Sequence, residues 1–240
     1  MLKPETAKKF YVEAFKALRK NHAAPEIVVE YYPYVNTNHT IRIRNEKIYV
    51  RISDTFENAP ESAHRALAYI LVGKLLNKNI PSELRNIYKR FVQEDSFAAL
   101  ALEKKRLRGT KRITSPVGER FDLEEVFRKL NAEYFDRDLE MPELSWSERP
   151  TFRRLGHHDE AHNTIIISRS LDKRGVPEFV LEFVMYHEML HVFHPPVYKN
   201  GRRHVHTPAF KADEQRFLFY EEAEEWIAEN AGNFRKYARS

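Results

Sequence analysis

The run Phe183-Val184-Met185-Tyr186-His187-Glu188-Met189-Leu190-His191-Val192-Phe193 places two histidines four residues apart in otherwise apolar surroundings. On a helix, residues i and i+4 share a face, so both imidazoles can address one point. The apolar character extends back through Phe179, Val180 and Leu181 to Pro177, and Pro195-Pro196 stops any helix just after the motif. A helix that is apolar almost all round is buried, and histidines on it need partners. Glu188 stands where it could accept a proton from a metal-activated water. The pattern points to His187 and His191 as ligands of Zn²⁺ and to Glu188 as a general base, an arrangement that hydrolyses peptide bonds.

Catalytic zinc takes three protein ligands and keeps one position open. His194 shares the helical face but lies about 10.5 Å along the axis from His187, seven residues at about 1.5 Å each, which makes convergence awkward. His157, His158 and His162 precede the helix. His206 follows a turn over Pro195–Arg203 and opens His206-Thr207-Pro208-Ala209-Phe210-Lys211, which reads as the start of a new helix able to pack back across the first. His204 could reach the same point, but the following Pro208 and Phe210 favour His206 as the inward residue. His204, Tyr198 and Arg153 are candidates for stabilising an oxyanion.

The two halves of the chain follow one plan. A shift of 117 positions aligns Pro25 with Pro142, Glu26 with Glu143, Ile48 with Ile165 and Ser53 with Ser170. It also aligns Pro60 with Pro177, Glu61 with Glu178 and Tyr69 with Tyr186. Each half opens with an amphipathic helix, carried by Phe10, Phe15 and Leu18 in one and by Leu123, Val126, Phe127 and Leu130 in the other. Strand-like segments follow, Ile27–Tyr31 and Ile41–Ile52, then Leu144–Trp146 and Thr164–Ile167. A long apolar helix then starts near a Pro-Glu pair, with proline in its first turn, and a further helix follows. Under the same shift His187, Glu188 and His191 fall on Ile70, Leu71 and Lys74, so the first half carries no metal site.

Forty-two per cent hydrophobic residues, with 16 Phe and 12 Tyr, suffice for packed cores and exclude a disordered chain. The absence of cysteine removes disulfides, thiolate ligands and Cys nucleophiles, and agrees with a reducing cytoplasm. No apolar run approaches the roughly 18 residues of a membrane span, and Met1-Leu2-Lys3-Pro4-Glu5 leads into a charged segment rather than a signal core. A cytoplasmic protein without membrane contact is expected. The net charge of +5 hides an asymmetry: residues 1–117 carry 22 Lys+Arg against 12 Asp+Glu, and residues 118–240 carry 18 against 23. The densest basic run is Lys104, Lys105, Arg106, Arg108, Lys111 and Arg112. It reads as a solvated linker over 101–117 or as a contact for nucleic acid.

The segment from Phe121 to about Phe217 resembles an SprT-like zinc metalloprotease domain. The resemblance runs through Phe121-Asp122-Leu123, Leu130-Asn131 and Tyr134-Phe135, then Trp146, Arg153 to Gly156, and Thr164-Ile165-Ile166-Ile167-Ser168 with Leu171. It ends on His187-Glu188-Met189-Leu190-His191 and His206-Thr207-Pro208-Ala209-Phe210. In that family the last motif usually reads His-Gly-x-x-Phe and supplies the third ligand; here Thr207 replaces the glycine. The Cys-rich zinc ribbon of many relatives is absent, and a degenerate N-terminal copy is not a usual companion. The resemblance implies a zincin-like domain over 118–240, and the 117-residue repeat places a degenerate, metal-less copy before it over 1–100; the expected fold is α+β. It implies a zinc endopeptidase acting on protein or peptide substrates, for some members on DNA-bound proteins. Two alternatives stand beside it. One is a non-enzymatic basic protein that binds nucleic acid or acts as a scaffold, with a structural metal. The other is a peptidase with no nucleic-acid role.

Overall fold

The structure, a computed structural model, describes residues 1–199 and 202–230, without side chains for 198–203. The last ten residues of the expected 118–240 domain and the Tyr198 side chain lie outside the described residues. The chain is mixed α and β and divides into two compact units, Met1–Gly109 and Thr110 onward.

The first unit begins with helix α1 (Pro4–Leu18), whose first turn contains Pro4, a tolerated position because the missing N–H has no helical partner there. Ala7, Phe10, Tyr11, Ala14 and Phe15 recur at helical spacing and are buried. Strands β1 (Ile27–Tyr32), β2 (His39–Arg44) and β3 (Lys47–Ser53) form a sheet of order β1-β3-β2, with β1 parallel and β2 antiparallel to β3. The stretch Ile41–Ile52, read from sequence as one strand segment, is a hairpin. Asn45 and Glu46 both take positive φ (47° and 62°), which supplies the two-residue turn. Helices α2 (Glu61–Leu76), α3 (Ser82–Val92) and α4 (Asp95–Arg108) complete the unit.

In the second unit α5 (Leu123–Tyr134) is capped by the Asp122 carboxylate, which accepts the Glu124 N–H at 2.8 Å. The Asp172 carboxylate holds the chain before it, accepting the N–H groups of Glu119 (2.5 Å) and Arg120 (2.9 Å). Strands β4 (Glu143–Trp146), β5 (Gly156–Asp159) and β6 (Thr164–Ile167) form a sheet of order β4-β6-β5, β4 parallel and β5 antiparallel to β6. Helix α6 (Glu178–Phe193) packs against β5, β6 and α5, and also against α7 (Pro208–Glu214) and α8 (Tyr220–Asn230). Neighbours on so many sides explain why it is apolar nearly all round. Its one buried acid on the α5 side, Glu182, is paired with Lys129. A short hairpin of β7 (Val197–Lys199) and β8 (Arg202–His204) joins α6 to α7 where a turn was expected. Among the described residues no helix is long and apolar enough to cross a membrane.

The expected linker over 101–117 is not one connector. Residues to Arg108 belong to α4, where Lys104 and Arg108 bind Asp54 at 3.0 and 2.8 Å. That pairing, led by the Arg108 guanidinium, holds the Asp54 carboxyl at about 2. From Thr110 the chain is bound into the second unit. Thr114 Oγ1 donates to the Trp146 carbonyl (2.7 Å), Lys111 pairs with Asp159 (2.5 Å) and Arg112 with Glu148 (2.8 Å). Carboxylates placed opposite these cations fold the basic run onto two different surfaces.

As far as α2 and α6, the two units share an element order. Shifted by 117, α2 coincides with α6 end to end, and the parallel register Ile27↔Ile48 maps onto Leu144↔Ile165. Pro60 and Pro177 stand immediately before these helices rather than in their first turns.

Candidate metal centre

Helix α6 presents His187 and His191 on one face, and their Nε2 atoms lie 3.2 Å apart. His206 arrives from the other side, its Nε2 3.3 Å from that of His191. One nitrogen from each of the three rings lies within 4.8 Å of the others, a group able to hold a metal ion. His206 lies two residues before α7, and the way that helix starts fixes its place. Thr207 caps the helix by accepting the Phe210 N–H (3.2 Å) and Pro208 occupies the first turn. Thr207 has φ −69°, so nothing in its backbone demands glycine and the hydroxyl serves as a cap instead. Phe210, fully buried, touches all three imidazoles, with ring centroids 4.8–5.2 Å away.

The far end of α7 is bonded back to α6. Glu214 accepts from His187 Nδ1 at 2.6 Å, Asp213 pairs with His194 Nε2 at 2.7 Å, and the Tyr186 hydroxyl donates to the Asp213 carbonyl at 2.7 Å. With its proton on Nδ1, His187 turns a lone pair on Nε2 toward the centre. Burial alone would lower the His187 pKa, but the Glu214 bond and the nearby carboxylates raise it. Burial, then His187, lowers that of His206.

Glu188 is buried on the sheet side of α6. Its Oε2 accepts the His158 N–H at 2.8 Å. Gly156 of β5 passes so close that a Cβ there would stand 2.5 Å from Glu188 Oε1. Burial pushes the Glu188 carboxyl up, opposed by His187, the His158 N–H and Arg154. An open cleft of about 290 Å³ adjoins it, formed by Arg153, Arg154, Leu155 and Gly156 facing Phe183, Val184, His187 and Glu188.

The other candidates sit apart from the ring cluster. His194 is bound to Asp213, and His204 is exposed at the end of β8. His157 and His162 gather around the buried Asp159 with Lys111. His158 reaches Glu188 through its backbone, and Arg153 lies in the cleft. Sequence reading missed Glu214, Asp213 and the close approach of Gly156. Glu214 carried no local signal, because its role depends on α7 folding back, whereas Gly156 is a glycine within the motif series.

This geometry stands beside a comparison of sequence. Residues 123–222 match the SprT-like family. No curated protein and no solved structure gives a significant match. The matched SprT-like segment runs from the first residue of α5 into α8, and so contains all three histidines and Glu188.

Proposed function

We propose that this chain is a zinc-dependent endopeptidase whose zincin-like second unit hydrolyses protein or peptide substrates. The observation that carries the reading is the convergence of three imidazole nitrogens beside a buried carboxylate at an open cleft. Two tetrahedral ligands at Zn–N distances of 2.0–2.1 Å stand about 3.3 Å apart. The separations of 3.2 Å between His187 and His191 and 3.3 Å between His191 and His206 match that distance. The Glu214 bond to His187 is the outer contact that zinc-ligating histidines use to fix their tautomer.

His187, His191 and His206 would hold the ion. A zinc ion so held supplies Lewis acidity that makes water acidic near neutral pH and polarises a carbonyl. Glu188 accepts the proton of the attacking water as its oxygen bonds to the peptide carbon. The same carboxyl returns that proton to the amine nitrogen as the C–N bond breaks, leaving one new carboxylate and one new amine. The His158 N–H aims the Glu188 carboxylate, and burial keeps it basic. Strand β5, at an edge of its sheet beside Glu188, offers backbone groups along which an extended peptide can lie.

The first unit is read as a degenerate copy of the second, supported by the matching helix spans and parallel register. Action on DNA-associated proteins is the substrate class that the SprT-like resemblance implies. In the basic run, however, Lys104, Arg108, Lys111 and Arg112 already engage carboxylates, which favours the peptidase reading over phosphate contact through these residues. Among the described residues the group has three ligands rather than the four of a structural zinc site, which favours catalysis over a structural metal.

The test is cleavage of an unfolded protein by the zinc-loaded chain. Glu188→Gln should keep the metal and lose at least about 100-fold in rate. His206→Ala should lower zinc content. Full hydrolysis by Glu188→Gln sinks the mechanism; unchanged zinc in His206→Ala moves the third ligand elsewhere.

A further inference from the structure

The cleft beside Glu188 has an apolar floor and a cationic rim. Phe183 and Val184, one helical turn before His187 and Glu188, are buried and form the floor with Leu155. Arg153 and Arg154 are exposed at its edge. No carboxylate among the described residues is ion-paired with either guanidinium, and Arg154 instead meets His157 Nδ1 at 2.6 Å. Elsewhere in the second unit Lys111, Arg112, Lys129 and Lys173 all have carboxylate partners.

Size and chemistry narrow the occupant. At about 290 Å³ and open on one side, the cleft has room for a side chain of an extended peptide. Guanidinium groups recognise carboxylates through paired N–H donors, with more directionality than an ammonium provides. We propose that the cleft is a specificity site for an acidic residue next to the scissile bond. The methylenes of a glutamate lie on Leu155, Phe183 and Val184 while its carboxylate meets Arg153 and Arg154. The assignment rests on the peptidase reading for its place in a reaction, though not for binding.

Two measurements test it. In the first, the full-length Glu188→Gln protein is titrated by fluorescence anisotropy with extended peptides that differ only by Glu, Gln or Lys at one position. In the second, the zinc-loaded wild type digests a peptide library and the cleavage sites are read by mass spectrometry. Glutamate should be favoured over glutamine by about tenfold at low salt, the preference shrinking as salt rises. It should be enriched at one position beside the cleaved bond. Arg153→Glu with Arg154→Glu should reverse the preference toward lysine, and the milder Arg153→Gln should reduce it. Equal binding of the three peptides, or a preference that the arginine substitutions leave intact, overturns the assignment whether or not the protein cleaves. A glutamate preference in binding without any Glu188-dependent cleavage upholds the cleft and overturns the peptidase reading.

Discussion

At Gly156 the backbone of β5 presses on the side chain that the mechanism asks to move a proton. An added methyl would meet Glu188 Cγ at 2.7 Å as well as its Oε1 at 2.5 Å, so more than a flexible tip must shift. Gly156→Ala should therefore displace the carboxylate from the His158 N–H and slow hydrolysis between about 10- and 100-fold. Zinc content should stay the same. Rate and metal stoichiometry measured together check this, and an unchanged rate would show that the strand gives way instead. Thr207 teaches the opposite lesson. A position that usually carries glycine in the family holds a residue with ordinary extended backbone, and the hydroxyl caps α7.

Among the elements, the segment from Thr110 to Val117 acts as a strap on the second unit. Its Lys111 covers Asp159, which is only 1% exposed and ends the strand that touches Glu188. Lys111→Met should leave that carboxylate buried with weaker partners and cost roughly 2–4 kcal/mol. Urea unfolding followed by the fluorescence of Trp146 and Trp226, both in this unit, measures the loss; Asp159→Asn should restore part of it in the double variant. Helix α6 was legible in the sequence because prolines bound an apolar run longer than any strand. So were β4 and β6, rich in apolar and β-branched residues. Strand β5 was not: Gly156-His157-His158-Asp159 has no strand-forming side chains, and only pairing with β6 makes it one. The hairpin of β2 and β3 escaped for a related reason, since Asn45-Glu46 lacks the glycine that marks such turns. The pair His187 and His191 was readable from spacing alone. The bond from Glu214 to His187 depends on how α7 packs, and no local pattern encodes that.

Across the whole molecule, the first unit brings an acid sensitivity of its own. Burial lowers His64 to about 4 against a weaker pull from the Phe56 carbonyl. Burial and then His64 lower His39 to about 4, and its Nδ1 already accepts the Ser53 N–H at 3.1 Å. The unfolded chain therefore binds protons near pH 6.5 that the folded unit refuses, so the stability these groups contribute is full above about 6.5. It is lost as pH falls toward 4, by up to roughly 3 kcal/mol for each histidine. Asp54, held at about 2, adds its own loss only below the ordinary carboxylate range. Because both tryptophans lie in the second unit, hydrogen exchange or tyrosine near-UV circular dichroism must follow the first. His64→Leu, which installs the residue found at position 181, should flatten the dependence; a slope unchanged between pH 6.5 and 4.5 would refute the assignment.

The coincidence of α2 with α6 under one shift gives this chain an internal control. Where both helices carry the same residue, as at Tyr69 and Tyr186, the demands of packing are enough to account for it. Where Ile70, Leu71 and Lys74 stand at the positions that the shift matches to His187, Glu188 and His191, the difference isolates chemistry from architecture within a single polypeptide. On the duplication proposed above, the first unit would record what this scaffold looks like when nothing asks it to react.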